Sequence, residues 1–340
     1  MELLLTGGSG YIGSHTGLEF LTHTTCNITI IDNLSTGFIE NQAYLKDRFP
    51  NRVHFIQADL SDTPTIEKIL KNTPFDCILH FSGSLIVNES VINPLLYYTN
   101  NTCNTISLIK LCVQYQIKNF IFSSTAAVYG EPEASLIPVV ESLPLKPINP
   151  YGNSKMMLEQ VLKDCSMAYD LNYVALRYFN VAGASMQNNL KTRIGLGQRS
   201  KNATHLIKIA CEYITKKRTE LFIFGDDYPT FDGTCIRDYI HIDDLANAHL
   251  QAYYYLKEHK KSQIFNVGYG IGYSVKEVLQ TLKEISKIDF EINITKRRDG
   301  DPAILISNNQ KILSHTNWKP KYNDLNTIIK SSYEWEKFFL

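Results

Sequence analysis

A tyrosine and a lysine lie four positions apart in the stretch YGNSKMMLEQ (residues 151–160), directly after Pro150. Four residues make about one helical turn, so Tyr151 and Lys155 would share one face of a helix that begins near the proline. A tyrosine with a pKa near ~10 accepts a proton at neutral pH only if about 4 kcal/mol of preferential stabilisation favours its anion. A neighbouring ammonium and the positive end of the helix could provide part of it. The pair suggests acid/base chemistry; the alternative is a plain helix face with a solvated lysine.

Hydroxyl side chains end an apolar run upstream of this pair. The stretch FIFSSTAAVYG (120–130) places Ser123, Ser124 and Thr125 where a buried strand would end. In an open α/β sheet, ligands bind outside the carboxyl ends of the strands. A hydroxyl at this edge can hydrogen-bond a reacting oxygen, so these residues favour the catalytic interpretation of the tyrosine and lysine.

A second set of residues, in LLLTGGSGYIGSH (3–15), would hold a phosphate-bearing cofactor. Gly7, Gly10 and Gly13 lie between an apolar strand and a helix, where a tight turn and close backbone approach to a pyrophosphate exclude a Cβ atom. Asp32 follows Gly13 by nineteen residues, at the end of the next strand, where an acid accepts hydrogen bonds from an adenosine ribose. No arginine follows to favour a 2′-phosphate, so the sequence predicts NAD rather than NADP. The alternative is a strand-to-helix turn without a ligand.

Two arginines late in the chain are candidates for holding an anionic ligand. The chain carries 34 basic and 34 acidic residues, so such a ligand must meet local positive charges. Forked guanidinium groups suit phosphates, and the candidates are Arg237 and Arg298, with the acid Asp301 close in sequence to the second. The alternative is that Arg237–Asp238 and Arg298–Asp299 are solvated surface pairs.

The elements that would position these residues follow from the apolar periodicity. Short apolar runs alternate with longer segments of mixed polarity, a pattern typical of parallel strands joined by helices. Strands are predicted at 3–6, 28–32, 53–57, 77–81, 119–123 and 173–179, and helices at 11–22, 62–72, 94–116 and 151–168. The sequence therefore predicts an α/β protein with a doubly wound parallel sheet.

The pattern changes after residue 180, which indicates a second, smaller domain. Residues 186–205 are polar and contain glycines, which favours a loop, whereas 238–256 predicts a strand followed by a helix and 263–270 another buried strand. We expect segments of about 236–270 to return to the sheet of residues 1–180, giving a NAD-binding domain. Segments of about 181–235 and 271–340 would form the smaller α/β domain for the substrate.

Composition excludes several kinds of partner. The balanced charge argues against nucleic acid and against an anionic membrane surface. The first residues, MELLLTGGSG, resemble neither a signal peptide nor a spanning helix, so we expect a cytoplasmic protein. Seven cysteines, odd in number and without a CxxC pair, suit a reducing compartment, and no disulfides are expected.

A cluster of His241, Asp243, Asp244 and His249 could suggest a metal. Eight residues between the histidines match no common ligand spacing. A strand-to-helix connection with Asp244 near the helix cap explains the cluster, so no metal site is expected.

The order of its motifs makes the chain similar to the extended short-chain dehydrogenase/reductase family and, within it, to the UDP-galactose 4-epimerases. The motifs extend from residue 6 to about 303 and include TGGSGYIGSHT, HFSG, NFIFSSTAAVYG, NPYGNSK, FGDDYPTFDGTCIRDYIHIDDLA and RRDGDPA. Generic dehydrogenases share the glycine motif and the YxxxK, whereas the last two segments resemble the epimerase branch. The resemblance implies a Rossmann-type fold, a bound NAD, and interconversion of UDP-glucose and UDP-galactose through a 4-keto sugar.

The resemblance also implies roles for individual residues. Thr125 would hold the sugar 4-hydroxyl, Tyr151 would be the acid/base, and Lys155 would bind the nicotinamide ribose and lower the pKa of the tyrosine. The implied cofactor-binding positions are Gly7, Gly10, Tyr11, Ile12, Gly13, Asp32, Asn33, Asp59, Leu60, Phe81, Ser82, Gly83, Asn100, Ser123, Tyr151, Lys155 and Tyr178. The substrate-binding positions are Thr125, Tyr151, Asn180, Asn202, Phe224, Arg237, Arg298, Asp301 and Leu305.

Related chemistries stay open as alternatives. Sugar-nucleotide 4,6-dehydratases resemble this family but carry an Asp-Glu pair where this chain has Ala126 and Ala127, so elimination would lack its acid and base. Leu305 stands at a position that lines the sugar pocket, and its intermediate bulk leaves a UDP-N-acetylhexosamine open as a substrate. A non-catalytic dinucleotide sensor is a third alternative, which the loss of the catalytic residues would have favoured.

The chain departs from the epimerase pattern at Leu85, where a lysine associated with the nicotinamide ribose is usual. We expect the remaining contacts to retain NAD. The resemblance also implies a homodimer, and the apolar surface of the helix predicted at 94–116 could pair with a symmetry mate or pack on the sheet.

Overall fold

The computed structural model describes residues 1–188, 195–200, 203–298 and 300–338. The strands are β1 (Glu2–Thr6), β2 (Asn27–Asp32), β3 (Val53–Gln57), β4 (Cys77–His80), β5 (Asn119–Thr125), β6 (Asn172–Tyr178), β7 (Asn180–Ala182), β8 (Phe222–Phe224), β9 (Ile236–His241), β10 (Gln263–Val267), β11 (Gly272–Ser274), β12 (Asn293–Thr295) and β13 (Ile304–Leu305). The helices are α1 (Tyr11–His23), α2 (Ile39–Arg48), α3 (Thr63–Asn72), α4 (Val87–Ile92), α5 (Pro94–Tyr97), α6 (Asn104–Gln114), α7 (Pro150–Ala168), α8 (Leu206–Ile214), α9 (Ile242–His259), α10 (Val275–Ser286), α11 (Gln310–His315) and α12 (Leu325–Lys337).

Seven of these strands form one sheet in the order β3-β2-β1-β4-β5-β6-β10, with every neighbouring pair parallel. Alternate residues of a strand face opposite sides of a sheet. Accordingly, Leu3 and Leu5 of β1 lie in one hydrophobic core and Leu4 lies in the other. Helices α1 and α9 pack in the first core, and α3, α6 and α7 pack in the second. The predicted doubly wound α/β fold is confirmed.

Helix α7, which carries the tyrosine and lysine pair, begins where the sequence predicts. The Asn149 Oδ1 accepts a hydrogen bond from the backbone N of Gly152 (2.8 Å), and Pro150 occupies the first helical position. Such a cap satisfies a free amide, and the ring of proline is pre-organised for a helical start. Both features fix Tyr151 in the first turn of the helix.

The helix predicted at 94–116 is interrupted. Between α5 and α6, a π-helical turn occupies Tyr98–Cys103. Here two consecutive side chains reach one residue: the Asn100 Nδ2 donates to the Ser84 Oγ (2.9 Å), and the Asn101 Oδ1 accepts from the Ser84 backbone N (2.7 Å). The irregular turn therefore fixes the loop that follows β4, in line with the occurrence of π-helical turns at functional sites.

Strand β9 does not return to the main sheet, which corrects the expectation for that part of segment 236–270. It pairs with β7 and β13 in parallel and with β11 in antiparallel, whereas β10 takes the place beside β6. The buried Asp238 holds β9 in this second sheet, because it accepts hydrogen bonds from the backbone N atoms of Tyr269 and Gly270 (both 2.9 Å) and from the Ser307 Oγ (2.6 Å). The division of the chain into two domains stays a prediction.

None of the helices in the described part of the chain has the length and apolar character to cross a membrane. All seven cysteines are free: Cys103 is exposed, Cys165 is half-buried and the others are buried. The buried thiols pack as small apolar side chains.

Candidate active site

A cavity of about 1120 Å³ follows the carboxyl ends of β1, β4 and β5 and reaches β9 and β13 of the second sheet. The order of the main sheet reverses between β1 and β4, and ligands of such folds bind at this point. Every predicted site residue that the structure describes lines this cavity. Asn202 lies outside the described residues.

At one end of the cavity, the glycine turn leaves no room for side chains. Gly7 has a φ of +70°, and a Cβ there would lie 2.7 Å from the backbone N of Ser82. A Cβ on Gly13 would lie 2.6 Å from the carbonyl oxygen of Gly7. Because α1 begins directly after this turn, its free amides and partial positive charge suit a pyrophosphate.

Asp32 lies at the end of β2 and lines the same end of the cavity. Its Oδ2 accepts a hydrogen bond from the Ser9 backbone N (2.9 Å), and its Oδ1 accepts one from the Leu34 backbone N (2.8 Å). Burial raises the pKa of this carboxyl, and the two amide bonds oppose that shift. The carboxylate is thus oriented by the turn that it faces.

Asn33 and Asp59 continue this wall. The Asn33 Nδ2 donates to the Asp59 Oδ2 (2.6 Å), and the Asp59 Oδ1 accepts from the hydroxyl (2.6 Å) and the backbone N (2.8 Å) of Ser61. The hydrogen bonds from Ser61 and Asn33 lower the pKa of Asp59. Leu60 follows in the lining and adds an apolar surface beside the fixed carboxylate.

Tyr151, Thr125 and Lys155 lie together in the cavity. The Thr125 hydroxyl is hydrogen-bonded to the phenol of Tyr151, and its Oγ1 accepts from the backbone N of Ala127 (3.2 Å). The Lys155 Nζ donates to the carbonyl oxygen of Ser123 (2.9 Å) and lies 5.0 Å from the centre of the Phe122 ring. The two hydroxyls can therefore exchange a proton with a ligand, and the ammonium lines the same cavity.

The pKa of Tyr151 differs from the sequence expectation. Burial raises this pKa, and the hydrogen bond from Thr125 opposes the shift. Burial also lowers the pKa of Lys155 to about 8. In the protein alone the Lys155 ammonium is directed at the Ser123 carbonyl, so the expectation that it lowers the pKa of the tyrosine stays a prediction for the protein with its cofactor bound.

The loop after β4 forms one edge of the cavity. Its Leu85 side chain is 48 % exposed. The loop is held from behind, because the Tyr97 hydroxyl accepts a hydrogen bond from the Ile86 backbone N (2.9 Å) and Asn100 reaches Ser84. This edge is therefore fixed without a cation at position 85.

At the other end of the cavity, Arg237 and Asp301 form an ion pair, with side chains 10 % and 35 % exposed. Arg237 also donates to the carbonyl oxygen of Ile236 (2.9 Å). The two residues were expected to contact separate parts of a ligand; in the protein alone they contact each other. Asp238 is fully buried in the second sheet, so the alternative of a solvated Arg237–Asp238 pair is wrong.

Arg298 lies on an aromatic face at the same end. Its guanidinium carbon is 3.7 Å from the centre of the Phe224 ring, and burial lowers its pKa. Asp299 lies outside the described residues. Stacking uses the face of the guanidinium and leaves the N–H donors at its edge for an anion.

Between the two ends, the wall next to Thr125 is mostly apolar. Ala126, Phe179 and Leu305 line the cavity and belong to one hydrophobic cluster. Asn180, at the start of β7, adds a polar side chain to this stretch. A ligand would therefore meet few hydrogen-bonding groups here beyond the hydroxyl pair.

Some residues that line the cavity were not predicted from the sequence. Cys235 and Tyr239 line the cavity together with Arg237. Side chains two positions apart on a strand share a face, so this spacing could have identified Tyr239. Phe222 and Lys217 also line the cavity, and no local motif marks them.

The histidines and aspartates of the cluster considered for a metal have separate structural partners. The His241 Nδ1 accepts from the Asp243 backbone N (3.1 Å) and caps α9, and the Asp244 Oδ2 accepts from the Tyr269 hydroxyl (2.6 Å). The His249 Nδ1 is hydrogen-bonded to the carbonyl oxygen of Leu245. Among the residues that the structure describes, no group of three potential ligands could hold a metal ion.

The fold and the cavity are those of a dinucleotide-dependent α/β enzyme, with a Tyr–Lys pair at one side of the cavity and two arginines at its other end. The family model described as the NAD dependent epimerase/dehydratase family matches residues 3–268. The chain belongs to this family.

Relatives within the family cover nearly the whole chain. The UDP-glucose 4-epimerase of Azospirillum brasilense is 43% identical over 99% of this chain and 92% of its own length. A solved UDP-Glc/GlcNAc 4-epimerase from Campylobacter jejuni is 51% identical, with a TM-score of 0.84 and 99% of each chain covered. A UDP-glucose 4-epimerase from Stenotrophomonas maltophila, solved with bound NAD and formylated UDP-arabinopyranose, is 32% identical, with a TM-score of 0.92 over 99% of this chain and 98% of that one.

Proposed function

We propose that this protein interconverts UDP-glucose and UDP-galactose by NAD-dependent 4-epimerisation through a transient 4-keto sugar. The observation that carries the proposal is the composition of the cavity, which combines a glycine turn, a Tyr151–Thr125 hydroxyl pair and a charged end with Arg237 and Arg298. The activity named for the relatives that cover nearly the whole chain supports it.

The residues of the cofactor end fit NAD. The glycine turn would bind the pyrophosphate, Asp32 the adenosine ribose, and Lys155 the nicotinamide ribose. Where a Cβ would collide with backbone at Gly7 and Gly13, the backbone can approach a phosphate closely. When bound, NAD accepts and returns the C4 hydride, and its oxidised ring adds positive charge near the phenol.

Tyr151 would take the proton of the C4 hydroxyl and return it, directly or through Thr125. The hydrogen bond between these two side chains favours the anion of the phenol, which burial disfavours. The protein alone therefore keeps the phenol neutral, and ionisation would accompany the arrival of positive charge at the site. Lys155 would orient the ligand beside the phenol with its buried ammonium.

The substrate end favours a firm hold on UDP and a weak hold on the hexose. Arg237 and Arg298 would bind the diphosphate, and Asp301 and Phe224 would contact the ribose and the uracil. Inversion at C4 requires the sugar ring to turn over while the nucleotide stays bound. The apolar wall next to Thr125 suits such a movement, because few hydrogen bonds would have to break.

A second candidate is 4-epimerisation of UDP-N-acetylhexosamines. The similarity to a solved epimerase described as acting on both UDP-Glc and UDP-GlcNAc favours this candidate. Leu305, which is nearly buried in the apolar wall, would decide how much room a 2-acetamido group finds.

We also propose that the protein acts as a homodimer in the cytoplasm. Helices α4 to α7 pack beside one another and expose apolar side chains, namely Val91 (63 %), Ile92 (85 %), Leu95 (75 %), Ile106 (41 %) and Met157 (42 %). Exposed apolar side chains on neighbouring helices suit a self-complementary contact with a second copy. A Leu95→Glu variant should elute as a monomer in light-scattering chromatography; elution of the parent protein as a monomer would contradict the dimer. The free cysteines favour a reducing compartment.

The test is incubation of the purified protein with UDP-galactose, UDP-N-acetylgalactosamine and a dTDP-hexose, followed by identification of the products. Formation of UDP-glucose supports the main proposal, and conversion of the acetylated sugar supports the second candidate. Conversion of neither UDP-sugar would overturn both. A 6-deoxy-4-keto product would instead identify a dehydratase.

A further inference from the structure

A buried histidine lies directly behind two side chains that line the cofactor end of the cavity. His249 of α9 is fully buried. Its ring centre lies 5.1 Å from that of Phe81 and 5.3 Å from that of Tyr178, and both of these neighbours line the cavity. His249 itself does not line the cavity, so any effect on a ligand must pass through these neighbours.

The hydrogen bonds of His249 determine its tautomer. The Nδ1 atom lies 2.9 Å from the carbonyl oxygen of Leu245, one helical turn earlier. A carbonyl oxygen can only accept, so Nδ1 carries the proton. Burial lowers the pKa of the ring to about 4, which keeps it neutral near pH 7. The Nε2 atom is therefore left with a lone pair and acts only as an acceptor.

This tautomer fixes the direction of the Tyr178 hydroxyl. The Tyr178 hydroxyl is hydrogen-bonded to the His249 Nε2. Because Nε2 can only accept, the hydrogen of the phenol has to lie on the histidine side. The phenol oxygen keeps its lone pairs and can act toward other groups only as an acceptor.

We propose that His249 is a positioning residue of the cofactor end: it holds the hydroxyl hydrogen of Tyr178 on the histidine side, so that Tyr178 would offer a bound NAD an acceptor only and Tyr151 would be the phenol that exchanges the proton. The inference rests on the proposed NAD-dependent function. It explains why two tyrosines can line one reactive site without competing, since burial and the histidine bond also hold the Tyr178 proton in place.

The first arm of the test reads the tautomer directly. The protein is labelled with ¹⁵N-histidine, and the His249 signals are assigned from their loss in His249→Gln. A protonated Nδ1 with an unprotonated, hydrogen-bonded Nε2, and a changed Nε2 shift in Tyr178→Phe, are expected. A proton on Nε2 would overturn the proposal. So would an Nε2 chemical shift that is the same in Tyr178→Phe as in the parent protein. This arm needs neither NAD nor turnover, so it is independent of the proposed function.

The second arm measures NAD and UDP affinity by calorimetry in His249→Leu, Tyr178→Phe and the double variant. Loss of the His249 Nε2 acceptor should weaken NAD binding about 5- to 100-fold, the range that corresponds to a buried polar group that loses its partner. UDP binding should stay unchanged. In the Tyr178→Phe background, the histidine change should add no more than about twofold, because the hydroxyl that it orients is gone. His249→Gln, whose amide oxygen can accept, should restore most of the affinity.

Equal losses of NAD affinity from His249→Leu in both backgrounds would show a general packing role and overturn the positioning role. Protein that binds no NAD in any form would refute the proposed function instead. If His249→Leu does not fold, the ¹⁵N signals in Tyr178→Phe still decide the matter.

Discussion

Two regions of the molecule contain the same three kinds of side chain, an arginine, a carboxylate and a tyrosine, and use them differently. The closed network consists of Arg177, Glu159, Tyr129 and Asn266, which lie behind the cavity, and of Ser124, which reaches its wall. The open set, in the cavity, consists of Arg237, Asp301, Tyr151 and Thr125. Residue type therefore does not distinguish the two regions, whereas the exposure of their charged side chains does.

In the closed network, every polar group has its partner inside the protein. The side chains of Arg177 and Glu159 are 3 % and 4 % exposed and paired at 2.7 Å. The Tyr129 hydroxyl accepts from the Arg177 Nη1 (2.8 Å) and donates to the Asn266 Oδ1 (2.6 Å). Such a network stabilises one arrangement of the fold, whereas the partly exposed Arg237–Asp301 pair keeps capacity for a ligand.

The largest difference between the two regions should appear in a tyrosine exchange. Tyr151→Phe removes the proposed acid/base and should lower kcat by about 10²–10⁴-fold, the range for general acid–base catalysis, without changing the melting temperature by more than a few degrees. The matched control is Tyr129→Phe. It should cost about 1–3 kcal/mol of unfolding free energy, because Asn266 and Arg177 lose a partner, and retain turnover per folded molecule. Full turnover in Tyr151→Phe would show that Tyr151 is not the acid/base.

The next difference concerns the carboxylates. Glu159→Gln leaves the buried Arg177 without its counter-charge and should lower the free energy of unfolding by about 3–5 kcal/mol, measured in urea. Replacing both partners by apolar residues, as Arg177→Met with Glu159→Leu, should recover part of this loss. Asp301→Asn, at the partly exposed pair, should cost about 1 kcal/mol or less. Equal losses from Glu159→Gln and Asp301→Asn would show that the two pairs do not differ.

Ligand binding, rather than stability, should show the role of the arginine in the open set. Arg237→Met should raise the Kd for UDP about 10- to 150-fold, which corresponds to the loss of a hydrogen bond to a charged group. Arg297→Met is the matched control, since Arg297 is 43 % exposed and paired with an exposed Asp227. Titration calorimetry of both variants separates the two, and unchanged UDP affinity in Arg237→Met would exclude this residue from the substrate site.

Some features of these two regions could be predicted from the sequence and others could not. The glycine turn and the α7 pair follow from local spacing, because their geometry is set within one turn or one helical step. The Arg237–Asp301 pair depends on β13 lying beside β9, a contact across more than sixty residues that no local pattern encodes. Helix α2 was not predicted because only Asn41, Gln42 and Leu45 of its ten residues are buried, which leaves little apolar periodicity. The raised pKa of Tyr151 depends on burial by distant elements.

The smallest expected effect concerns a histidine that is as fully satisfied as the closed network. His80, on β4, bonds through Nδ1 to the Thr6 Oγ1 (2.7 Å) and through Nε2 to the Thr105 Oγ1 (2.8 Å). Burial, followed by the charge of Lys155, lowers its pKa to about 3. An unfolded histidine has a pKa near ~6.5, so between these values the unfolded state binds the additional proton.

The stabilisation that the neutral His80 provides is therefore complete above about pH 6.5 and is lost as the pH falls toward 3. His80 contributes at most about 1.4 kcal/mol per pH unit to the slope of the unfolding free energy against pH, the value for a difference of one bound proton. Urea unfolding at pH 7, 6 and 5 should show this slope reduced in His80→Gln and unchanged in His315→Gln, whose histidine is exposed. An identical slope in both variants would contradict this prediction. It would mean that His80 takes up its proton in the folded protein as readily as in the unfolded one, despite the two threonine bonds and the nearby charge of Lys155.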